Sequence, residues 1–120
     1  PKPSSAASDV YKRQGININT VPVLDLGLKG SSNVIGNRSF SKNPKIVSKI
    51  GDICIKTFKE NSIGTVIKHI PGHGLAKSDS HLKLPIVDKT YEYLMKNDFK
   101  TFKNKPSLLK STKYIPLPPP

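Results

Sequence analysis

Tryptophan is absent from the 120 residues, and cysteine and methionine each occur once. A lone thiol, Cys54, excludes an internal disulfide framework. It falls in an apolar-periodic stretch and reads as a small buried apolar side chain. No apolar run approaches the ~20 residues that a membrane-spanning helix requires. Acidic residues are scarce, eight against twenty Lys and Arg, which leaves a net charge of +12. Such an excess raises the question of a nucleic-acid or anionic-membrane partner. The scarcity of arginine answers it. Only Arg13 and Arg38 are present, whereas bidentate phosphate contacts and base readout favour Arg over Lys. The lysines are spread along the chain, with no aromatic platform between them for stacking bases. The charge is read as a solvated surface, and neither nucleic acid nor membrane is expected as a partner.

The two ends differ from the middle. Residues 1–14 include Ser4–Gln14, SSAASDVYKRQ, which looks like a translated sequencing adapter. The segment is set aside as an artefact or a disordered tail. Residues 110–120 end in a proline run, and the apolar pattern stops near Leu109, as at a frame error or a contig end. The credible domain is residues 15–109. A complete (β/α)8 barrel takes ~250 residues, so barrel features in a chain this short imply an incomplete barrel.

What is present reads as strand, loop, helix, strand, loop, helix. Gly15–Leu26, GININTVPVLDL, is an apolar strand with a carboxylate, Asp25, near its C-terminal end. Residues 27–41 are rich in Gly, Ser and Asn and form a loop. Asn43-Pro44 supplies an N-cap and a first-turn proline. A helix is predicted over Pro44–Glu60, burying Ile46, Ile50, Cys54 and Phe58, with Val47 widening the stripe. Ile63–Ile70 is a second strand, broken by Pro71-Gly72. A second helix is predicted over Thr90–Phe102, with Leu94, Met95 and Phe102 facing the core. Connections of this length between strands make them parallel neighbours. In such folds the chemistry sits beyond the C-terminal strand ends.

The densest polar constellation lies there. All three histidines, His69, His73 and His81, fall within thirteen residues, together with Lys68 and Asp79. His69 and His73 are four apart, the spacing of a helical zinc pair. Pro71 and Gly72 between them exclude a helix, so a metal centre is not expected, although a metal-dependent hydrolase remains an alternative. Asp79 and His81 are two apart. A carboxylate at that spacing can hold one ring nitrogen and leave the other to exchange a proton near neutral pH. Asp25 is read as structural, bonding nearby loop amides, and His73 as shaping its loop.

In this order and spacing, GININTVPVLDL, VIGNRSFSKNP, IKHIPGHG and DSHLKLP resemble glycoside hydrolase family 3. The likeness is to the NagZ-type β-N-acetylhexosaminidase branch of bacterial cell-wall recycling. The resemblance implies an α/β fold, a fragment of a (β/α)8 TIM barrel with parallel strands. It implies hydrolysis of terminal β-linked N-acetylglucosamine with retention of configuration, without a cofactor. Arg38, Lys68 and His69 would bind the sugar, and Asp79 and His81 would form the acid/base dyad. That departs from the pair of carboxylates usual in retaining glycosidases. The family's nucleophilic Asp maps to no residue here, so the chain alone is expected to be inactive. The implied partner is an N-acetylglucosamine-containing glycan or muropeptide, acted on by a monomeric enzyme of the bacterial cytoplasm. A non-catalytic basic binding module is the other alternative, disfavoured by the scattered lysines.

Overall fold

The computed structural model describes Val10 and residues 13–105. The expected Pro-rich end, and most of the set-aside N-terminal segment, lie outside the described residues.

The first strand is an extended run with two short ladders. In the first, β1 (Ile18–Asn19) pairs in parallel with β2 (Gly64–Thr65), Ile18 opposite Gly64. In the second, Val23 bridges Lys68 in the same sense. Amides of Gly64, Val66 and Leu24 donate to Asn17, Asn19 and Lys68 carbonyls at 2.8, 3.0 and 2.8 Å. Pro22 sits between the ladders and has no N–H to donate, which interrupts the pairing on its own strand. The described residues therefore form a small α/β unit with two parallel strands.

Helix α1 (Pro44–Glu60) has the predicted bounds. The Asn43 side chain accepts the Lys45 amide at 2.9 Å, so the start is fixed by a cap and Pro44 together. The buried face differs from the expected one. Val47, Gly51, Ile55 and Phe58 are buried, whereas Ile46 is exposed and Ile50 and Cys54 are half-buried. The face is set by Gly51, which lets the helix seat directly on Leu24. A Cβ at Gly51 would lie 2.5 Å from Leu24 Cδ2. An apolar count passes over glycine, and so selects the neighbouring stripe. Burial raises the pKa of the half-buried Cys54 thiol.

The core joins Leu24 and Leu26 of the first strand, Val47 and Ile55 of α1, and Ile67 of the second strand, with Leu28 and Phe102 packed against them. Fully burying each such side chain contributes about 1.5–3 kcal/mol. Lys105 ties the chain back to α1. Its Nζ donates to the Ser48 carbonyl and hydroxyl at 2.9 and 2.8 Å and pairs with Asp52 at 3.0 Å.

The second predicted helix is broken. Helix α2 covers Tyr91–Lys96, with the Thr90 hydroxyl capping the Tyr93 amide. A separate 3-10 turn follows over Phe99–Thr101. The break falls at Asn97, whose side-chain amide donates to the Tyr93 carbonyl at 2.9 Å. Asn competes in this way for backbone groups that a continuing helix would use. The next residue, Asp98, is turned inward and buried.

Candidate active site

Two parallel strand ends deliver the polar cluster. Asp25 ends the first run, flanked by the core residues Leu24 and Leu26, and its side chain is 0 % exposed. Lys68 and His69 end the second. A buried carboxylate is costly unless it is hydrogen-bonded, and Asp25 is saturated. Its Oδ2 lies 2.6 Å from His69 Nδ1 and accepts the His69 amide at 3.1 Å. Its Oδ1 accepts the His73 amide at 2.6 Å. Its own carbonyl accepts the Ser39 hydroxyl at 2.7 Å. Asp25 does bond loop amides, but they lie 44 and 48 residues away. No spacing rule connects positions so distant, which is why the sequence pointed to nearby amides instead.

The turn Pro71–Gly74 fits only with glycines. Gly72 has φ +135°, and a Cβ there would stand 2.9 Å from Asp98 Cβ. A Cβ on Gly74 would meet the Leu26 carbonyl oxygen at 2.5 Å and the Leu26 nitrogen at 2.9 Å. Beyond the turn, the Ala76 amide bonds the His73 carbonyl, and the Ala76 carbonyl accepts the Ser32 amide at 2.8 Å.

Arg38 sits on a 3-10 turn, Gly36–Arg38. It is exposed, and its guanidinium donates to the Val34 carbonyl of its own loop. Lys68 donates to the Thr20 hydroxyl at 3.3 Å. Partial burial lowers the Lys68 pKa, the Arg38 charge pushes the same way, and Asp25 opposes them. Lys68 thus responds to the charges of both Arg38 and Asp25, although 43 residues separate the first strand end from the second along the chain.

Asp79 and His81 form a separate pair on the loop. Asp79 Oδ1 is 2.7 Å from His81 Nδ1 and accepts the His81 amide at 2.9 Å. The amide bond is the chief cause of the lowered Asp79 pKa, followed by the ring contact, with His73 adding a further pull. The pair is open to solvent, with side-chain exposures of 33 % for Asp79 and 81 % for His81. Among the described residues, the hydrogen bonds of the stretch from 77 to 88 stay within it.

Asp98 escaped the motif reading, whereas His73 lay within it. Asp98 is 3 % exposed, and neither of its carboxylate oxygens has a partner; both ring nitrogens of His73 are likewise unpartnered. Burial pushes the Asp98 carboxyl pKa up, and the nearby Asp25 charge adds to it. Among the described residues, no group of three or more His, Cys, Asp or Glu is placed to hold a metal ion. No helix among them is long and apolar enough to cross a membrane.

Asp25, Lys68 and His69 thus meet at two parallel strand ends, and the Asp79–His81 pair lies on the loop that follows. The model of the glycosyl hydrolase family 3 N-terminal domain matches residues 4–106, and the chain belongs to that family. Its relatives include a beta-hexosaminidase A from Pseudoalteromonas piscicida, 37 % identical over 84 % of this chain and 17 % of its own length. A beta-hexosaminidase from Idiomarina loihiensis is 40 % identical over 73 % of this chain and 26 % of its own length. Among solved structures, native NagZ from Neisseria gonorrhoeae superposes with a TM-score of 0.75 at 34 % identity, covering 82 % of this chain and 28 % of that one. The family 3 β-N-acetylglucosaminidase from Paenibacillus superposes with a TM-score of 0.78 at 30 % identity, covering 82 % of this chain and 19 % of that one. The chain therefore spans about a quarter or less of the length of these relatives.

Proposed function

We propose that this chain is the part of a bacterial, cytoplasmic β-N-acetylhexosaminidase that seats the terminal sugar and moves the proton. The parallel strands would belong to a (β/α)8 barrel, with Arg38, Lys68 and His69 at its mouth binding the hydroxyls of N-acetylglucosamine. The substrate would be a glycan or muropeptide ending in that sugar. The observation that carries the reading is the 2.7 Å contact between Asp79 Oδ1 and His81 Nδ1. It commits one ring nitrogen and leaves Nε2 of a solvent-open imidazole free to exchange a proton.

The family resemblance supplies the rest of the chemistry. A carboxylate contributed by a part of the enzyme beyond this chain attacks the anomeric carbon. As the glycosidic bond breaks, the His81 imidazolium gives its Nε2 proton to the departing oxygen. The neutral ring then takes a proton from the water that attacks the glycosyl-enzyme bond, and the imidazolium is restored. Two displacements retain configuration. Asp79 holds the ring's orientation and balances its charge during the charged half of the cycle.

The test uses the full-length enzyme. His81→Ala is expected to slow release of N-acetylglucosamine from substrates with poor leaving groups by about a hundredfold or more. Aryl glycosides with very good leaving groups, which need little protonation, are expected to suffer less. Equal loss on all substrates would remove His81 from the acid/base role.

A further inference from the structure

That reading leaves the most completely bonded side chain of the site without a part in the reaction. Asp25 has no exposed side-chain surface, and both of its carboxylate oxygens are occupied. One oxygen, Oδ2, contacts both the amide nitrogen and the ring Nδ1 of His69. A single atom that bonds the backbone and the ring of the same residue leaves that ring little rotameric freedom. The carboxylate has no hydrogen to donate, so Nδ1 must carry the proton. The other nitrogen, Nε2, is then the one left free, on a side chain that is still 35 % exposed.

We propose that Asp25 is a positioning residue for substrate binding and acts through His69. It holds the His69 ring as the Nδ1–H tautomer, so that Nε2 meets a sugar hydroxyl as a preset acceptor. Through Oδ1 it also holds the His73 amide, which fixes the turn that follows. The inference rests on the reading of His69 as a sugar ligand. It goes beyond that reading by naming what sets the ring's tautomer and angle. A ring fixed before binding contributes affinity by lowering the ordering cost of the complex. The role of Asp25 should therefore appear in KM more than in kcat.

The test has two arms. In the first, the imidazole nitrogens of the full-length enzyme are observed by long-range proton–nitrogen NMR. Neutral His69 is expected as the Nδ1–H tautomer, and as a different tautomer mixture in Asp25→Asn. An Nε2–H ring in the unsubstituted enzyme overturns the proposal, and so does a spectrum unchanged by Asp25→Asn. If that variant does not fold, the tautomer of the unsubstituted enzyme decides alone.

In the second arm, the full-length enzyme is assayed on an aryl N-acetyl-β-glucosaminide. Asp25→Asn is expected to raise KM about tenfold or more, the loss typical of a hydrogen bond made by a charged group, with a much smaller change in kcat. In a His69→Gln background the same substitution is expected to add little, because the two residues act as one unit. Additive losses, or a fall in kcat alone, would show a merely structural carboxylate and overturn the proposal. If the unsubstituted full-length enzyme releases no N-acetylglucosamine while the Nδ1–H tautomer stands, the hexosaminidase reading fails, and the substrate role of Asp25 fails with it.

Discussion

The molecule contains two carboxylate–imidazole pairs built on the same local pattern in opposite surroundings. In each, one carboxylate oxygen bonds both the amide and the ring Nδ1 of a histidine. The ring contacts are 2.6 Å for Asp25–His69 and 2.7 Å for Asp79–His81. Asp25 is fully buried, its partner is 44 residues away, and its second oxygen is engaged as well. Asp79 and His81 are two residues apart and largely open to water. Equal contact lengths therefore do not mean equal energies. In the buried pair, removing the carboxylate strands donors where water cannot replace it. In the exposed pair, water replaces it readily and the energetic worth of the contact is small. The first pair suits a fixed seat, and the second suits a group whose protonation can change in contact with solvent.

The largest difference should appear on deleting the carboxylates. Asp25→Ala is expected to destabilise the chain by about 3–5 kcal/mol, because two amides and a ring lose their acceptor. Asp79→Ala should leave the unfolding midpoint in urea where it was. Similar midpoints for the two variants would erase the distinction. Activity should divide the other way. His81→Ala, with its roughly hundredfold loss on poor leaving groups, is expected to leave that midpoint unchanged, since its ring contributes no buried contact.

A third, smaller effect tests the seat beneath the buried pair. Gly74→Ala forces a methyl group against the Leu26 backbone and is expected to cost about 1–3 kcal/mol, as overpacking does, read from the same urea transitions. The smallest concerns Asp98. Its folded pKa is raised, so the native state holds the proton more tightly than the unfolded chain does. The contribution of Asp98 to stability is then greatest below the ordinary aspartate range and is lost as pH rises through the folded value. Asp98→Asn should remove that contribution, so that its stability profile differs from the wild type across that range. Superimposable profiles of the two between pH 3 and 7 would show that Asp98 is not held neutral.

The same contrast explains what could be read from the chain. Local signals were legible. Asn43-Pro44 marked the start of α1 to the residue, and the Asp79-x-His81 spacing indicated a pair that is indeed in contact. Non-local signals were not. Nothing near Asp25 in sequence announces that it bonds the amides of His69 and His73. The buried face of α1 was displaced because the closest helix–strand contact runs through Gly51, which has no side chain to count. The second helix was drawn too long because apolar spacing continues through Phe102, while Asn97 diverts a carbonyl and Asp98 turns inward. Lys68 stood out beside the histidines, whereas Arg38 came from a family likeness, and the influence of its charge on Lys68 is a tertiary fact that spacing does not encode.

Ala76 marks a seam. Up to that residue the turn is fastened to the first strand and its loop, by Asp25 at one end and by the Ser32–Ala76 bond at the other. From residue 77 to 88 the hydrogen bonds of the described chain are internal to the stretch. A different loop could be grafted at this seam, longer or shorter, without disturbing the hydrogen bonds that join Asp25 to His69 and His73. The exposed pair is in that sense an exchangeable part, carried on a stretch that shares no hydrogen bond with the described strand ends.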